Sequence, residues 1–181
     1  RPADANETAA AWKAILERHD GPVGLILTRQ NVPTFPRGEQ GFAPADGVAK
    51  GAYVLLEASN GTPDVILIAT GSEVQLAVAA RETLEAEGVA TRVVSAPSLE
   101  WFAEQDEAYR ESVLPSAVKA RVSVEAGLAL SWHKIVGDAG RSVSLEHYGA
   151  SADYQTLFEK FGITAEAVVA AARESLEAAR G

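Results

Sequence analysis

Arg29 closes the run Val23-Gly24-Leu25-Ile26-Leu27-Thr28-Arg29-Gln30-Asn31, which leads directly to Pro33. An apolar run bounded by turn formers predicts a strand over 23–28 buried on both faces, with Arg29 at its carboxyl end. In parallel α/β sheets ligands bind at that end. A guanidinium there is charged at any physiological pH and offers a planar fork of donors matched to phosphate or carboxylate. An arbitrary arginine more often pairs with a neighbouring surface acid, so it is the position that carries the argument.

A second candidate is Thr70-Gly71-Ser72-Glu73, where a glycine and a hydroxyl fall between an expected strand and an expected helix. Free N–H groups at such a helix start can hold an anion, which makes Gly71 and Ser72 a candidate anion site. The simpler reading, and the preferred one, is that Ser72 caps its helix with Gln75 at the matching box position. No G-x-G-x-x-G or Walker pattern is present, which argues against a nucleotide. Glu125 and Glu146 each end an expected strand and could share acid–base work, although solvated strand ends are the commoner case. His133 and His147 have no His or Cys at a ligand-like spacing, so no metal site is read.

These residues need elements to hold them. Asp4-Ala5-Asn6-Glu7 has the D-x-x-E spacing of a capping box, and Ala5, Ala9, Trp12, Ile15 and Leu16 then share one helical face. This predicts a helix over 4–19, with Trp12 on the buried stripe and His19 in the last turn. Helix 4–19 and strand 23–28 cannot bury their own faces, so residues 1–32 read as the tail of a larger α/β domain. Residues 33–50, where Pro33, Pro36, Gly38, Gly41, Pro44 and Gly47 interrupt every period, read as a linker. A second domain over 51–181 opens with a short edge strand at 52–57. Strands follow at 65–70, 92–96, 121–125 and 142–146. Helices are expected from 74 to Gly88, in short turns after Pro97 and before Val136, and near 153–160 and 165–179. Alternating strands and helices give an α/β fold: a mainly parallel, mixed sheet with helices on both faces, in three layers.

Composition narrows the function. Of 181 residues 47% are hydrophobic, and no apolar run approaches the roughly 18–20 residues of a membrane span. The net charge of −9, with no clustering of the 16 Lys and Arg, argues against nucleic acid. With zero cysteines there is no disulfide, thiolate nucleophile or zinc–thiolate site. There is no methionine and no signal peptide at Arg1, so the chain is expected to begin mid-protein.

Several blocks, read in order, resemble the transketolase family. They are Arg1-Pro2-Ala3-Asp4-Ala5-Asn6-Glu7, Thr28-Arg29-Gln30-Asn31-Val32-Pro33, Lys50-Gly51-Ala52-Tyr53-Val54-Leu55 and Pro63-Asp64-Val65-Ile66-Leu67-Ile68-Ala69-Thr70-Gly71-Ser72-Glu73-Val74. Further on come Tyr109-Arg110-Glu111-Ser112-Val113-Leu114-Pro115, Val124-Glu125-Ala126-Gly127, Gly149-Ala150-Ser151 and Phe158-Glu159-Lys160-Phe161-Gly162. The resemblance implies that residues 1–32 end the pyrimidine-binding domain and that 51–181 form the transketolase C-terminal domain. It implies a cytoplasmic, homodimeric enzyme of the pentose phosphate pathway. Such an enzyme uses thiamine diphosphate and Mg2+ to move a two-carbon ketol unit between ketose and aldose phosphates.

In the family, the catalytic acid and histidines lie before the block that starts at Arg1. The resemblance therefore places no catalytic residue in this chain and no cofactor bound to it alone. It places Arg29 on the phosphate of the sugar substrate. Glu146-His147-Tyr148-Gly149 stands where the family usually reads Asp-Arg-Phe-Gly, so that arginine's role is not carried over. Alternatives are a related thiamine enzyme such as dihydroxyacetone synthase, a small-ligand binding module, or a non-catalytic structural and dimerisation module.

Overall fold

The computed structural model describes residues 1–39 and 41–181. Helix α1 spans Ala5–Glu17, and its N-cap is Asp4, whose Oδ1 accepts the Glu7 N–H at 2.8 Å. The chain then runs extended through 22–28 and reaches a 3-10 turn at Ala45–Lys50. A five-stranded sheet follows: β1 Tyr53–Leu56, β2 Val65–Ala69, β3 Thr91–Ser95, β4 Arg121–Val124 and β5 Arg141–Val143. Their order is β1-β3-β2-β4-β5; β1 pairs antiparallel with β3 at one edge, and every other pairing is parallel. The remaining helices are α2 Val74–Ala86, α3 Leu99–Ala103, α4 Glu107–Val113, α5 His133–Val136, α6 Tyr154–Phe161 and α7 Ala165–Arg180.

Side chains alternate across a strand, so β2 shows how the layers form. Val65, Leu67 and Ala69 face a core completed by Val74, Ala77 and Leu84 of α2 and Val168 and Ala172 of α7. Ile66 and Ile68 face the opposite core, closed by Phe102 of α3, Val113 of α4 and Trp132 and Val136 around α5. A central strand covered on both faces calls for the near-continuous apolar sequence that β2, Val-Ile-Leu-Ile-Ala, carries. The result is the three-layer, mainly parallel mixed sheet that the strand–helix alternation implies, with β1 as its antiparallel edge.

Three expectations fail near the amino terminus. No strand forms over 23–28: the segment is extended but pairs with no strand among the described residues, and Ile26 and Leu27 stay 65% and 52% exposed. Its apolar sequence has no sheet here to join. Trp12 is not core: it is 52% exposed beside Leu16 at 70%, because α1 turns Glu7 and Ala11 inward instead. Helix α1 also stops at Glu17, so His19 lies beyond it. At the other end of the chain β5 stops at Val143 rather than extending to Glu146. Within 33–50, Phe35 and Val48 are buried, and Phe35 stacks on Phe42 with ring centroids 5.1 Å apart.

Candidate functional site

Helix α2 leaves β2 on one face of the sheet, whereas the turn into α5 leaves the adjacent β4 on the other. The crevice between the carboxyl ends of β2 and β4 is therefore the topological switch point, where open α/β sheets hold ligands. Here it holds a side chain of the chain itself. The Arg1 guanidinium donates to Glu73 Oε2 at 2.8 Å and to Glu125 Oε1. Glu73 is only 1% exposed and also accepts the Ala126 N–H at 3.2 Å, while Glu125 Oε2 accepts the Trp132 indole N–H at 2.7 Å. The backbone is tied as well: Arg1 N–H donates to Pro97 O at 2.8 Å, and Gly71 N–H to Arg1 O at 3.0 Å. Gly71 has φ +61°, and a Cβ there would stand 3.2–3.4 Å from the Arg1 guanidinium.

This arrangement bears on the anion reading at Gly71 and Ser72. The Gly71 N–H is taken by Arg1, and the Ser72 hydroxyl donates to Glu73 Oε1. Neither of those donors is left for an outside anion, and an anion would meet the Glu73 carboxylate. Nor does Ser72 cap α2; instead Gln75 Nε2 donates to Ser72 O at 2.9 Å. Glu125 is ion-paired rather than a solvated strand end. Glu146 is exposed and accepts the Ala129 N–H at 2.8 Å, a bond that holds its carboxyl below the usual range. The two carboxylates thus serve different partners. His133 is exposed, and His147 meets the Phe161 ring edge-on at 4.8 Å.

Arg29 is exposed at the end of the extended segment, and no hydrogen bond or ion pair engages its guanidinium among the described residues. The residues just before it, Ile26–Thr28, face Arg1, Pro2, Gly71 and Ser72 across a cavity of about 100 Å³. A larger cavity of about 460 Å³ opens between α1, the 22–26 segment and the carboxyl ends of the strands; Trp101, Glu125 and Trp132 are in its wall. After Arg29 the chain is caught again at Phe35, whose N–H donates to Asp4 Oδ2 at 3.0 Å and whose O accepts Asn6 Nδ2 at 3.2 Å.

Sequence reasoning missed the buried polar cluster behind this anchor. Glu7, fully buried, accepts the Ala3 N–H on Oε2 and both the Tyr53 and Ser95 hydroxyls on Oε1, each at 2.7 Å. Arg37 donates to Asp4 Oδ1 at 3.0 Å and to the Tyr53 oxygen at 2.6 Å. Burial, and then the neighbouring Glu7 carboxylate, push the Tyr53 hydroxyl far above its ordinary value, so it stays a donor. The D-x-x-E spacing was the available signal, but it spoke for a local box. In the fold the fourth residue of that box bridges α1 to β1 and β3.

The family described as the transketolase-like TK C-terminal domain matches residues 51–164. The chain belongs to the transketolase family. It is 59% identical to the transketolase of Mycobacterium leprae over 98% of this chain and 25% of that protein. It is 54% identical to transketolase 1 of Escherichia coli, over 97% and 26%. In structure it superposes on the transketolase from Leishmania mexicana with a TM-score of 0.86 at 38% identity, covering 98% of this chain and 25% of that one. The Pichia stipitis transketolase in complex with sedoheptulose 7-phosphate gives 0.86 at 37%, with the same coverage. The chain thus spans about a quarter of the length of the transketolases it matches.

Proposed function

We propose that this chain is the C-terminal part of a thiamine diphosphate-dependent transketolase, in which Arg29 binds the phosphate of the sugar substrate. The whole enzyme would move a two-carbon ketol unit between ketose and aldose phosphates, as a cytoplasmic homodimer. Among the described residues no group of three or more His, Cys, Asp or Glu is placed to hold a metal ion. On this proposal the metal and the cofactor diphosphate are held by other parts of the protein. Among the described residues no helix is long and apolar enough to cross a membrane.

The observation that carries the role of Arg29 is an exposed guanidinium with no hydrogen bond or ion pair among the described residues, on a chain that is caught again six residues later at Phe35. An arginine kept for stability would be paired, as Arg92 is with Glu57 at 2.7 Å. A charge-assisted bond to phosphate contributes about 1.5–3 kcal/mol. In the complete enzyme, Arg29→Ala should lose roughly tenfold to a hundredfold in kcat/KM for phosphorylated sugars, mainly as raised KM. Lysine should rescue only partly, keeping the charge without the fork. Hydroxypyruvate, a donor with no phosphate, should turn over nearly as before. Equal loss on both donors would show that Arg29 holds the fold or the dimer, not the substrate.

A further inference from the structure

We propose that the switch point of residues 51–181 is a guanidinium-binding site, filled in this chain by Arg1. The site is built on two carboxylates. Arg1 Nη2 donates to Glu73 Oε2 at 2.8 Å and Nη1 donates to Glu125 Oε1, so the planar fork spans both acids at once. The groups that orient those acids all belong to 51–181. The Ser72 hydroxyl donates to Glu73 Oε1, the Ala126 N–H to Glu73 Oε2 at 3.2 Å, and the Trp132 indole N–H to Glu125 Oε2 at 2.7 Å.

Two glycines leave the room that this cradle needs. A Cβ at Gly127 would stand 3.2–3.4 Å from the Glu125 side chain, and one at Gly71 would be equally close to the guanidinium. Glu73 is 1% exposed, so water does not offset its charge. Two neighbouring carboxylates repel, and a buried acid deprived of its partner is strongly destabilising, so the site calls for a cation. An ammonium would meet the charge but not the geometry, since it has no fork whose two nitrogens each reach a different acid. Glu125 also borders the cavity of about 460 Å³, through which a small cation can arrive. The sheet thus recognises residues 1–32 through one side chain, seated where open α/β sheets bind ligands.

The test is chemical rescue of Arg1→Ala in the 181-residue chain. Alanine keeps the backbone bonds to Pro97 and Gly71 and removes the part of the side chain that ethylguanidinium supplies as a free ion. Arg1→Ala should lower Tm by roughly 6–20 °C, as expected for a buried acid left without its cation. Ethylguanidinium should then raise the Tm of the variant by roughly 3–9 °C at about fifty times its Kd, because a ligand that binds only the folded state stabilises it. The parent chain, whose site Arg1 already fills, should gain nothing. Nor should Arg1→Ala combined with Glu73→Gln, or with Glu125→Gln, since each lacks one of the two acids.

Two further compounds separate recognition from a general solvent effect. Ethylurea has the shape without the charge and ethylammonium the charge without the fork, and both should rescue far less. Should Arg1→Ala not fold alone, its refolding is followed by circular dichroism with each compound in turn, and recovery in ethylguanidinium only is the expected result. A variant that keeps the parent's Tm overturns the inference, as does one that ethylguanidinium neither stabilises nor refolds. Equal rescue by ethylurea or ethylammonium overturns it too, and so does an equal gain in the parent or in the combined variants.

Discussion

Glu7→Ala is the sharpest test of how residues 1–39 are joined to the sheet. The substitution strands three buried donors at once: the Ala3 N–H, the Tyr53 hydroxyl and the Ser95 hydroxyl, each now at 2.7 Å from the carboxylate. It also removes a second anion from Arg37, which lies 3.5 Å from Glu7 and keeps Asp4 at 3.0 Å. An unsatisfied buried donor costs about 1–3 kcal/mol, so the naive sum is about 3–9 kcal/mol. The groups share one acceptor and relax together, which puts the expectation in the lower half, near the 3–5 kcal/mol typical of breaking a buried pair.

For a domain of this size that is a fall of roughly 6–20 °C in Tm. Urea and thermal unfolding of the 181-residue chain would measure it, with Glu17→Ala as a surface control within about 0.5 kcal/mol of the parent. Ser95→Ala removes one donor and its bond, and should cost only about 1 kcal/mol. A loss below about 1 kcal/mol for Glu7→Ala would refute the reasoning, because the buried carboxylate would then be gaining no more from its partners than burial costs it.

Gly51→Ala should prevent folding or cost more than about 4 kcal/mol, since φ is +82° and the new Cβ would lie 2.3 Å from Phe102 N and Ser98 O. Gly61→Ala, at φ +77° with nothing within 4 Å, should cost only the backbone term of about 1–2 kcal/mol; equal urea midpoints for the two would refute the steric account. Glu85 is partly buried, which alone would raise its pKa, but bonds from Ser59 and Thr91 and the charge of Arg81 outweigh burial and leave it lowered. Its folded pKa lies below the unfolded one, so its stabilisation is present above about pH 4.3 and is lost as pH falls through the folded value. Glu85→Gln should flatten that part of the acid limb, and an unchanged limb in pH-dependent unfolding would count against the assignment.

The sheet was legible where burial on both faces writes a continuous apolar run. Strand β2 at Val65–Ala69 is such a run and falls within a residue of the position expected from pattern; β4 at Arg121–Val124 does so too, although Arg121 and Ser123 interrupt its apolar residues. Helix α7 spans Ala165–Arg180, within a residue of the expected 165–179, and Thr164 Oγ1 caps it by accepting the Ala167 N–H at 3.2 Å. Strand β5 was expected to run to Glu146 because Ser142–Glu146 alternates polar and apolar, but after Val143 the chain leaves the ladder and the Leu145 N–H donates to Gly127 O at 2.9 Å. Strand order is a long-range property that no local period records. The two arginines that matter to the site, Arg1 and Arg37, lie outside any periodic element. Nothing in their neighbours says that one enters the switch point and the other a buried cluster.

The errors at Trp12 and in the 23–28 segment have a common cause. Apolar periodicity records the surroundings a segment is selected to meet, whereas exposure in this chain records only the neighbours the chain supplies. Within 51–181 those two agree for the central strands, all of whose β2 and β3 residues are buried. Within 1–32 they disagree: Trp12, Leu16, Ile26 and Leu27 stand open together, on the one portion whose polar residues are nevertheless tightly bound through Arg1, Asp4 and Glu7. A segment fixed by ion pairs on one side and bare of apolar cover on the other has the form of a joint. On the proposed function, the bound side belongs to the C-terminal domain and the bare side meets the rest of the transketolase. Arg29 then lies on the stretch of chain that passes between the two, which is where a substrate phosphate would be met.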